Sequence, residues 1–318
     1  MSEADSAICK KKRKSEWSNM PYDLLSNIAN RLELIDFTSF HHVCKNWCYA
    51  TEPLLEAKFC GCDPWFLLYG EGSRCSMLNN NAKVYTTEIP ELDGATCLAS
   101  NGGWLLVFCD GSLFFFCPFS RAKIQLPNCP ITISYDCIAA FSSAPTSQDC
   151  IVAVLKRNFL KLELHTLCRG DDIWVKHEFY PVDHTLFPIK RCALFIEGEF
   201  IYGDDRLVFI VDAANTKQWS ERGLRDMQYG DNDESVLKCS LRNLFSKKSE
   251  KERKHRSMNL KRKLGFGDSD SLSIRGTQYD AKNMLWSDCI PGTKVPVSRY
   301  LQGVWVLPRY HKNQEQRR

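Results

Sequence analysis

The sequence predicts an α+β multidomain protein, a small three-helix unit followed by an all-β propeller-like domain. Three observations lead there. Between residues 17 and 59 the apolar positions recur at helical spacing. Beyond residue 63 they alternate with a strand period and are punctuated by an Asp110-Gly111 pair set between apolar runs. The strand pattern then returns downstream at a regular step, as in arrays of similar sheets.

A chain of 318 residues suits one large or two unequal domains. Its 44% apolar and 25% charged residues are ordinary for a globular protein, and a net charge of +4 is small for this length. That balance gives no reason to expect a nucleic-acid partner. The basic residues do cluster in two runs. One is "KKKRK" (Lys10, Lys11, Lys12, Arg13, Lys14) in a polar tail over 1–16, and the other is "KKSEKERKHRSMNLKRK" over 247–263. Such runs bury too little apolar surface to offset the entropy of ordering, so both read as solvated segments. The first is also a candidate nuclear import signal, which makes the expected location nuclear, cytoplasmic or both. No stretch approaches the ~20 apolar residues that cross a bilayer, and no apolar core follows the N-terminal lysines, so neither membrane insertion nor secretion is expected. The 16 cysteines include no CxxC pair and are expected to act mostly as small buried hydrophobes of an intracellular protein.

In the helical unit, "MPYDLLSNIANRL" places Pro21 in a first helical turn. Leu24, Leu25, Ile28 and Leu32 follow at i, i+1, i+4 and i+8 as one apolar stripe. Asp36 is the expected N-cap of a second helix carrying Phe37 and Phe40. A third helix carries Val43 and Trp47 and then Leu54 and Leu55, with Pro53 bending or restarting it. The stretch "HHVCKNWC" (41–48) invites a metal reading, because His41, Cys44 and Cys48 at i, i+3 and i+7 would share one side of a helix. A structural zinc site needs four ligands, and Cys60 and Cys62 supply poor spacing for the remainder. Phe40, Val43 and Trp47 have the same helical spacing and suit packing better. No metal and no cofactor is expected. Three short helices of this size would be marginal alone.

In the strand region, "NGGWLLVFCDGSLFFFCPFSRAKIQLP" reads as a hairpin and a further short strand. "FIEGEFIYGDDRLVFIVDAANTKQW" overlays it without gaps, Asp110 on Asp204, Leu113 on Leu207, Phe115 on Phe209 and Lys123 on Lys217, a step of 94 residues. That is close to two blades of ~40–50 residues. "CRGDDIWVKHEF" ends a blade near the midpoint, with Trp174 opposite Trp219, and "CSMLNNNAKVYTTEIP" is a weaker earlier copy with Lys83 over Lys123. At least four units of similar length therefore lie between Pro64 and Trp219. Trp174 and Trp219 are expected in blade cores, while Trp65, Trp104 and Trp286 fit either a core or a surface anchor. Residues 225–265 lose the strand pattern and read as a basic loop insertion in a domain spanning 64–310, with 311–318 as a tail. "LSIRG", "NMLWSDCI" and "GVWVLPR" are expected to return to the array and close it, which removes exposed sheet edges.

The phrases "WSNMPYDLLSNIANRL" and "VCKNW" resemble the F-box. Met20 stands where that family usually has the leucine of a Leu-Pro step, and Cys48 where a basic residue commonly follows the tryptophan. "GGWLLVF", "CPFSRAKIQLP", "FSSAPTSQDCIVAVL", "CRGDDIWVKHEF", "FIYGDDRLVFIVD" and "GVWVLPR" resemble the propeller-like, sometimes kelch-like, C-terminal domain of a large plant F-box family. Cys117 occupies a position where that family often has Asn before Pro, so a turn hydrogen bond is expected to be missing. The resemblance implies a substrate-recognition subunit of a Skp–cullin–F-box ubiquitin ligase. Its helices would dock on a Skp-type adaptor and, through it, on cullin, and the propeller-like domain would hold an unidentified target protein. Trp17, Met20, Pro21, Leu24, Leu25, Ile28, Val43 and Trp47 are the candidate adaptor-binding residues, with Ile28 and Leu32 the most structural of the stripe. Catalysis is not expected. HExxH, GxSxG and a Gly-rich phosphate loop are lacking, and the pairs Asp171-Asp172 and Asp204-Asp205 sit in turns, where acidic residues are ordinary. The alternative is a non-degradative F-box regulatory protein, nuclear and polyanion-binding through its basic segments.

Overall fold

The computed structural model describes residues 16–311 apart from positions 71, 134–136, 159–160, 181–191, 204–206, 224–258, 261–270, 276–277, 280–283, 286–287 and 291–299. Lys10 to Lys14, the 247–263 run save Asn259 and Leu260, Asp204, Asp205, Trp286 and the segment 312–318 lie outside the described residues. The chain separates into two compact units, Met1–Gly61 and Cys62–Arg318.

The first unit contains α1 (Tyr22–Arg31), α2 (Leu34–His41), α3 (Lys45–Thr51) and a short α4 (Leu55–Phe59). Pro21 is the N-cap of α1 rather than a residue of its first turn, with φ −55° and ψ 142°, and its carbonyl accepts from the Leu25 N–H at 3.1 Å. Asp23 in the first turn and Arg31 in the last complement the helix dipole. The Lys58 ammonium of α4 closes the far end by donating to the carbonyls of Asn30 (2.9 Å) and Leu32 (2.6 Å). Leu25, Ala29, Phe37, Phe40, Ala50, Leu55 and Phe59 form the core.

Two sequence expectations are corrected here, and a third is met. Asp36 lies inside the first turn of α2, whose N-cap is Glu33. Val43 is not on a helix, because "HHVCKNWC" spans a break: the His42 ring bonds the Thr38 carbonyl at 2.6 Å as α2 ends, and Cys44 is the N-cap of α3. The restart expected at Pro53 is found: α3 ends at Thr51. Pro53 sits in a 3-10 turn, Glu52–Leu54, and helix resumes only at Leu55.

Among the described residues the second unit contains three four-stranded antiparallel sheets, one six-stranded sheet with a single parallel pair, and one two-stranded ribbon. In chain order, the first sheet draws on β1 (Trp65–Gly70), β2 (Gly72–Leu78) and β3 (Val84–Glu88). The second contains β4 (Thr96–Asn101), β5 (Trp104–Cys109), β6 (Ser112–Phe116) and β7 (Lys123–Gln125). The third contains β8 (Cys137–Phe141), β9 (Ile151–Asn158), β10 (Lys161–Cys168) and β11 (Val175–Phe179). The fourth contains β12 (Cys192–Ile196), β13 (Glu199–Gly203), β14 (Leu207–Asp212) and β15 (Trp219–Gly223). Farther on come β16 (Ser271–Arg275), the paired β17 (Gln278–Tyr279) and β18 (Met284–Leu285), β19 (Asp288–Ile290) and β20 (Tyr300–Val306). β20 pairs antiparallel with β1, Trp65 opposite Val306 through Tyr69 opposite Gln302, and supplies the first strand of the first sheet. β16 then adds parallel to β20, and β19 antiparallel to β16. The leading strands β20, β4, β8 and β12 adjoin one another in succession, the arrangement of propeller blades.

The β5–β6 hairpin turns through Asp110 and Gly111, both at positive φ (48° and 77°), as a two-residue Asp-Gly turn demands. Leu113 and Phe115 match Leu207 and Phe209 as third-strand residues, but the overlay slips at the fourth strand. β14 continues to Asp212, so Lys217 lies in a turn while its counterpart Lys123 opens β7. Trp174 is buried and its indole N–H donates to the Pro127 carbonyl at 3.1 Å; Trp65 and Trp104 are buried as well. Trp219 is not a core residue: it opens the outermost strand of its sheet, touches Phe179 and Phe209 and stays 37% exposed. The turn at Cys117 lacks no closure, since backbone N–H groups of Cys117 and Arg121 bond Ala122 O and Cys117 O at 2.9 Å each. Arg121, at φ 59°, donates from that turn to Glu88 O (2.7 Å) and Thr87 Oγ1 (3.2 Å), tying the second sheet to the first.

Candidate functional site

The helical unit presents apolar side chains that its own core leaves outside. On α1, Leu25 and Ala29 point inward at i and i+4, and Leu24 and Ile28 occupy the adjacent face, 54% and 41% exposed. Before the helix, the 3-10 turn Glu16–Asn19 is held by α3: the Trp47 indole N–H donates to Trp17 O at 3.0 Å and the Asn46 amide to Ser18 O at 2.7 Å. Those bonds fix the backbone of Trp17 while its ring remains largely exposed. Val43, in the α2–α3 turn, is exposed too.

The eight candidate residues therefore divide. Trp17, Pro21, Leu24, Ile28 and Val43 are exposed, and Met20 and Trp47 are half-buried, Trp47 with its ring centroid 4.1 Å from that of Phe40. Leu25 is removed from the contact set because it is 1% exposed and belongs to the core. Ile28, expected to be chiefly structural, faces outward, and Leu32 is half-buried at the C-cap of α1. Tyr22 and Tyr49, both exposed, were missed. The available signal was their type, since a tyrosine combines apolar area with a polar tip that suits interfaces.

His41 and Cys48 do meet, though across the break rather than along one helix. The His41 ring is buried, with Nδ1 2.5 Å from Thr51 Oγ1 and Nε2 3.4 Å from Cys48 Sγ. The Thr51 hydroxyl already donates to the carbonyls of Trp47 and Cys48, so it accepts from Nδ1–H, which leaves Nε2 to accept from the Cys48 thiol. This network clamps α2 to α3. Among the described residues no group of three or more His, Cys, Asp or Glu side chains converges as metal ligands would.

Residues 17–52 match the F-box domain, and residues 58–254 match the KIB1-4 beta-propeller. The chain belongs to the plant F-box proteins that carry a KIB1-4 beta-propeller. Relatives in Arabidopsis thaliana agree. One F-box/kelch-repeat protein is 31% identical over 182 residues, covering 54% of this chain and 51% of its own length. An F-box protein is 26% identical over 227 residues, 69% of this chain and 55% of its own. Another F-box/kelch-repeat protein is 33% identical over 198 residues, 57% of this chain and 50% of its own. The chain spans about half the length of the curated relatives it matches. The propeller match ends at residue 254, so the strand that completes the first sheet of this F-box protein, β20, lies beyond it.

Proposed function

We propose that this F-box protein is a substrate-recognition subunit of a Skp–cullin–F-box ubiquitin ligase, acting by binding and not by catalysis. The helical unit docks on a Skp-type adaptor, and the propeller holds a target protein within reach of the ubiquitin-conjugating enzyme. One observation carries the reading: Trp17, Leu24, Ile28 and Val43 are exposed on a unit whose core is already filled by Leu25, Ala29, Phe37 and Ala50. Short helices presenting apolar side chains fit a groove between a partner's helices. Burying about six such side chains at roughly 1.5–3 kcal/mol each gives a gross term comparable to or above association costs of ~4–15 kcal/mol. The propeller then works by proximity, raising the effective concentration of target lysines at a distant active site. Co-expression with a Skp-type adaptor and cullin tests the reading. A complex co-eluting from a sizing column supports it, and a chain that elutes free of every adaptor tried sinks it.

A second reading is favoured by the two basic runs, Lys10 to Lys14 and 247–263. It is a nuclear F-box regulator that contacts polyanions without delivering a target for degradation. Retention on heparin that falls steeply with salt, and is lost when the lysines of 247–263 are replaced by glutamine, would support it. A fluorescent fusion in which Lys10, Lys11, Lys12, Arg13 and Lys14 become alanine reports on location. Nuclear exclusion relative to wild type is expected, and unchanged distribution removes the import role.

A further inference from the structure

We propose that the cleft between the second and third sheets of the propeller receives a short segment of the target in which an apolar side chain is followed by lysine or arginine. The proposal rests on the reading of the chain as a substrate-recognition subunit and assigns the place of recognition. The cleft holds a cavity of about 520 Å³, within the ~300–1,000 Å³ of ligand pockets. Phe115 and Ile124 of the second sheet and Val152 and Leu167 of the third give it apolar walls. The loops at its mouth are preset: the Arg169 N–H donates to Cys150 O at 2.9 Å and the Asp171 N–H to Cys168 O at 3.1 Å. Gly170 between them sits at φ +91°, which favours glycine. An occupant therefore meets walls that need little further ordering.

Charge selects the occupant. Asp171 and Asp172 line the mouth, both exposed, while the lysines Lys161 and Lys176 of the third sheet pair with Glu163 and Glu178 instead. Among the described residues Arg169 is the one cation lining the cavity, so carboxylates outnumber it there. Ile173, 78% exposed, extends apolar surface past the two aspartates. An apolar side chain seated on Leu167 and Val152 would bring the next residue's cation to Asp171 and Asp172, its aliphatic stem lying over Ile173. An acidic segment or a nucleic-acid backbone would meet two like charges.

The test uses the full chain and two fluorescein-labelled hexapeptide libraries with random flanks, one with Leu-Lys at the centre and one with Leu-Glu, read by anisotropy. Saturable binding of the Leu-Lys library, at least tenfold tighter than Leu-Glu and weakened by salt, is expected. Asp171→Asn/Asp172→Asn, at exposed positions that leave the fold alone, should abolish the preference. Ile124→Trp, which fills the cavity from its half-buried rim, should abolish binding. No saturable binding, equal binding of the two libraries, or a preference that survives the asparagine pair overturns the proposal. Adaptor capture measured on the same preparations separates the two ideas. Capture without peptide preference sinks only the cleft, and preference without capture leaves the cleft standing while the ligase reading fails.

Discussion

Gly303→Ala tests whether the chain closes its first sheet as described. Gly303 lies on β20 opposite Leu68 of β1, and a Cβ there would sit 2.1 Å from Phe66 Cζ, 2.8 Å from Cε1 and 3.0 Å from Cε2. Carbon atoms in favourable contact stand ~3.5–4.0 Å apart, so the ring must retreat by more than ~1 Å. It has nowhere to go: Phe66 is fully buried and the Trp305 ring stands 5.1 Å away. Overpacking of this kind costs ~1–3 kcal/mol, and the depth of the overlap puts the expectation near the upper end. Where the urea m-value is ~3 kcal/mol/M, a loss of ~3 kcal/mol lowers the unfolding midpoint by ~1 M. The assay is urea unfolding of the full chain followed by tryptophan fluorescence. Phe66→Leu removes the ring, so the double variant should recover part of the loss, with a coupling of ~0.5–3 kcal/mol. A Gly303→Ala midpoint matching wild type, or strictly additive single effects, would refute the packing of β20 over Phe66.

Within the helical unit, Leu25→Ala should cost ~2–5 kcal/mol as a core deletion, while Leu24→Ala stays within ~0.5 kcal/mol; protease susceptibility of residues 17–59 reads the difference, and equal effects would contradict the division of the stripe. Burial holds the His311 imidazole below its ordinary value, with Arg309 adding to the fall and the bond to Gly102 O opposing it. Its contribution is therefore present above pH ~6.5 and lost as pH falls below that value; a lower unfolding midpoint at pH 5.5 than at 7.5 is expected, with that part of the slope absent in His311→Gln. Lys161 at 2.9 Å, Asn158 and Lys176 hold the Glu163 carboxyl down to about 2. That stabilisation is present above pH ~4.3 and lost as pH falls toward the folded value, so Glu163→Gln should flatten acid unfolding across that window, and an unchanged acid profile would contradict it.

Local chemistry made much of this fold legible before the structure. The Asp110-Gly111 turn needs two residues at positive φ, and few dipeptides accept that. Changes of apolar period likewise separate helix from strand within a few residues. What failed were features decided by distant packing. The stripe Leu24, Leu25, Ile28 and Leu32 marks an arc of α1, but the position of α3 determines that Leu25 faces the core and Leu24 and Ile28 do not. The break at His42 to Cys44 contains neither glycine nor proline, so nothing local announced that Val43 would leave the helix. The return of "GVWVLPR" to the array was legible and is met by β20 pairing with β1, but its register, Trp65 opposite Val306, spans a separation no window-based pattern reaches. The cleft depends on loops from β8–β9 and β10–β11 meeting β7 of another sheet, and the phrases "CPFSRAKIQLP" and "CRGDDIWVKHEF", which carry many of its residues, do not announce that they meet.

The affinity of the full chain for a purified Skp-type adaptor, wild type against Leu24→Asp/Ile28→Asp, addresses docking most directly. Both side chains are exposed, so the variant should keep the wild-type unfolding midpoint. Two anchors lost at ~2 kcal/mol each predict an affinity at least ~100-fold weaker. Tight wild-type binding that collapses in the folded variant is the predicted result. Equal affinity of the two proteins would contradict docking through the exposed face of α1.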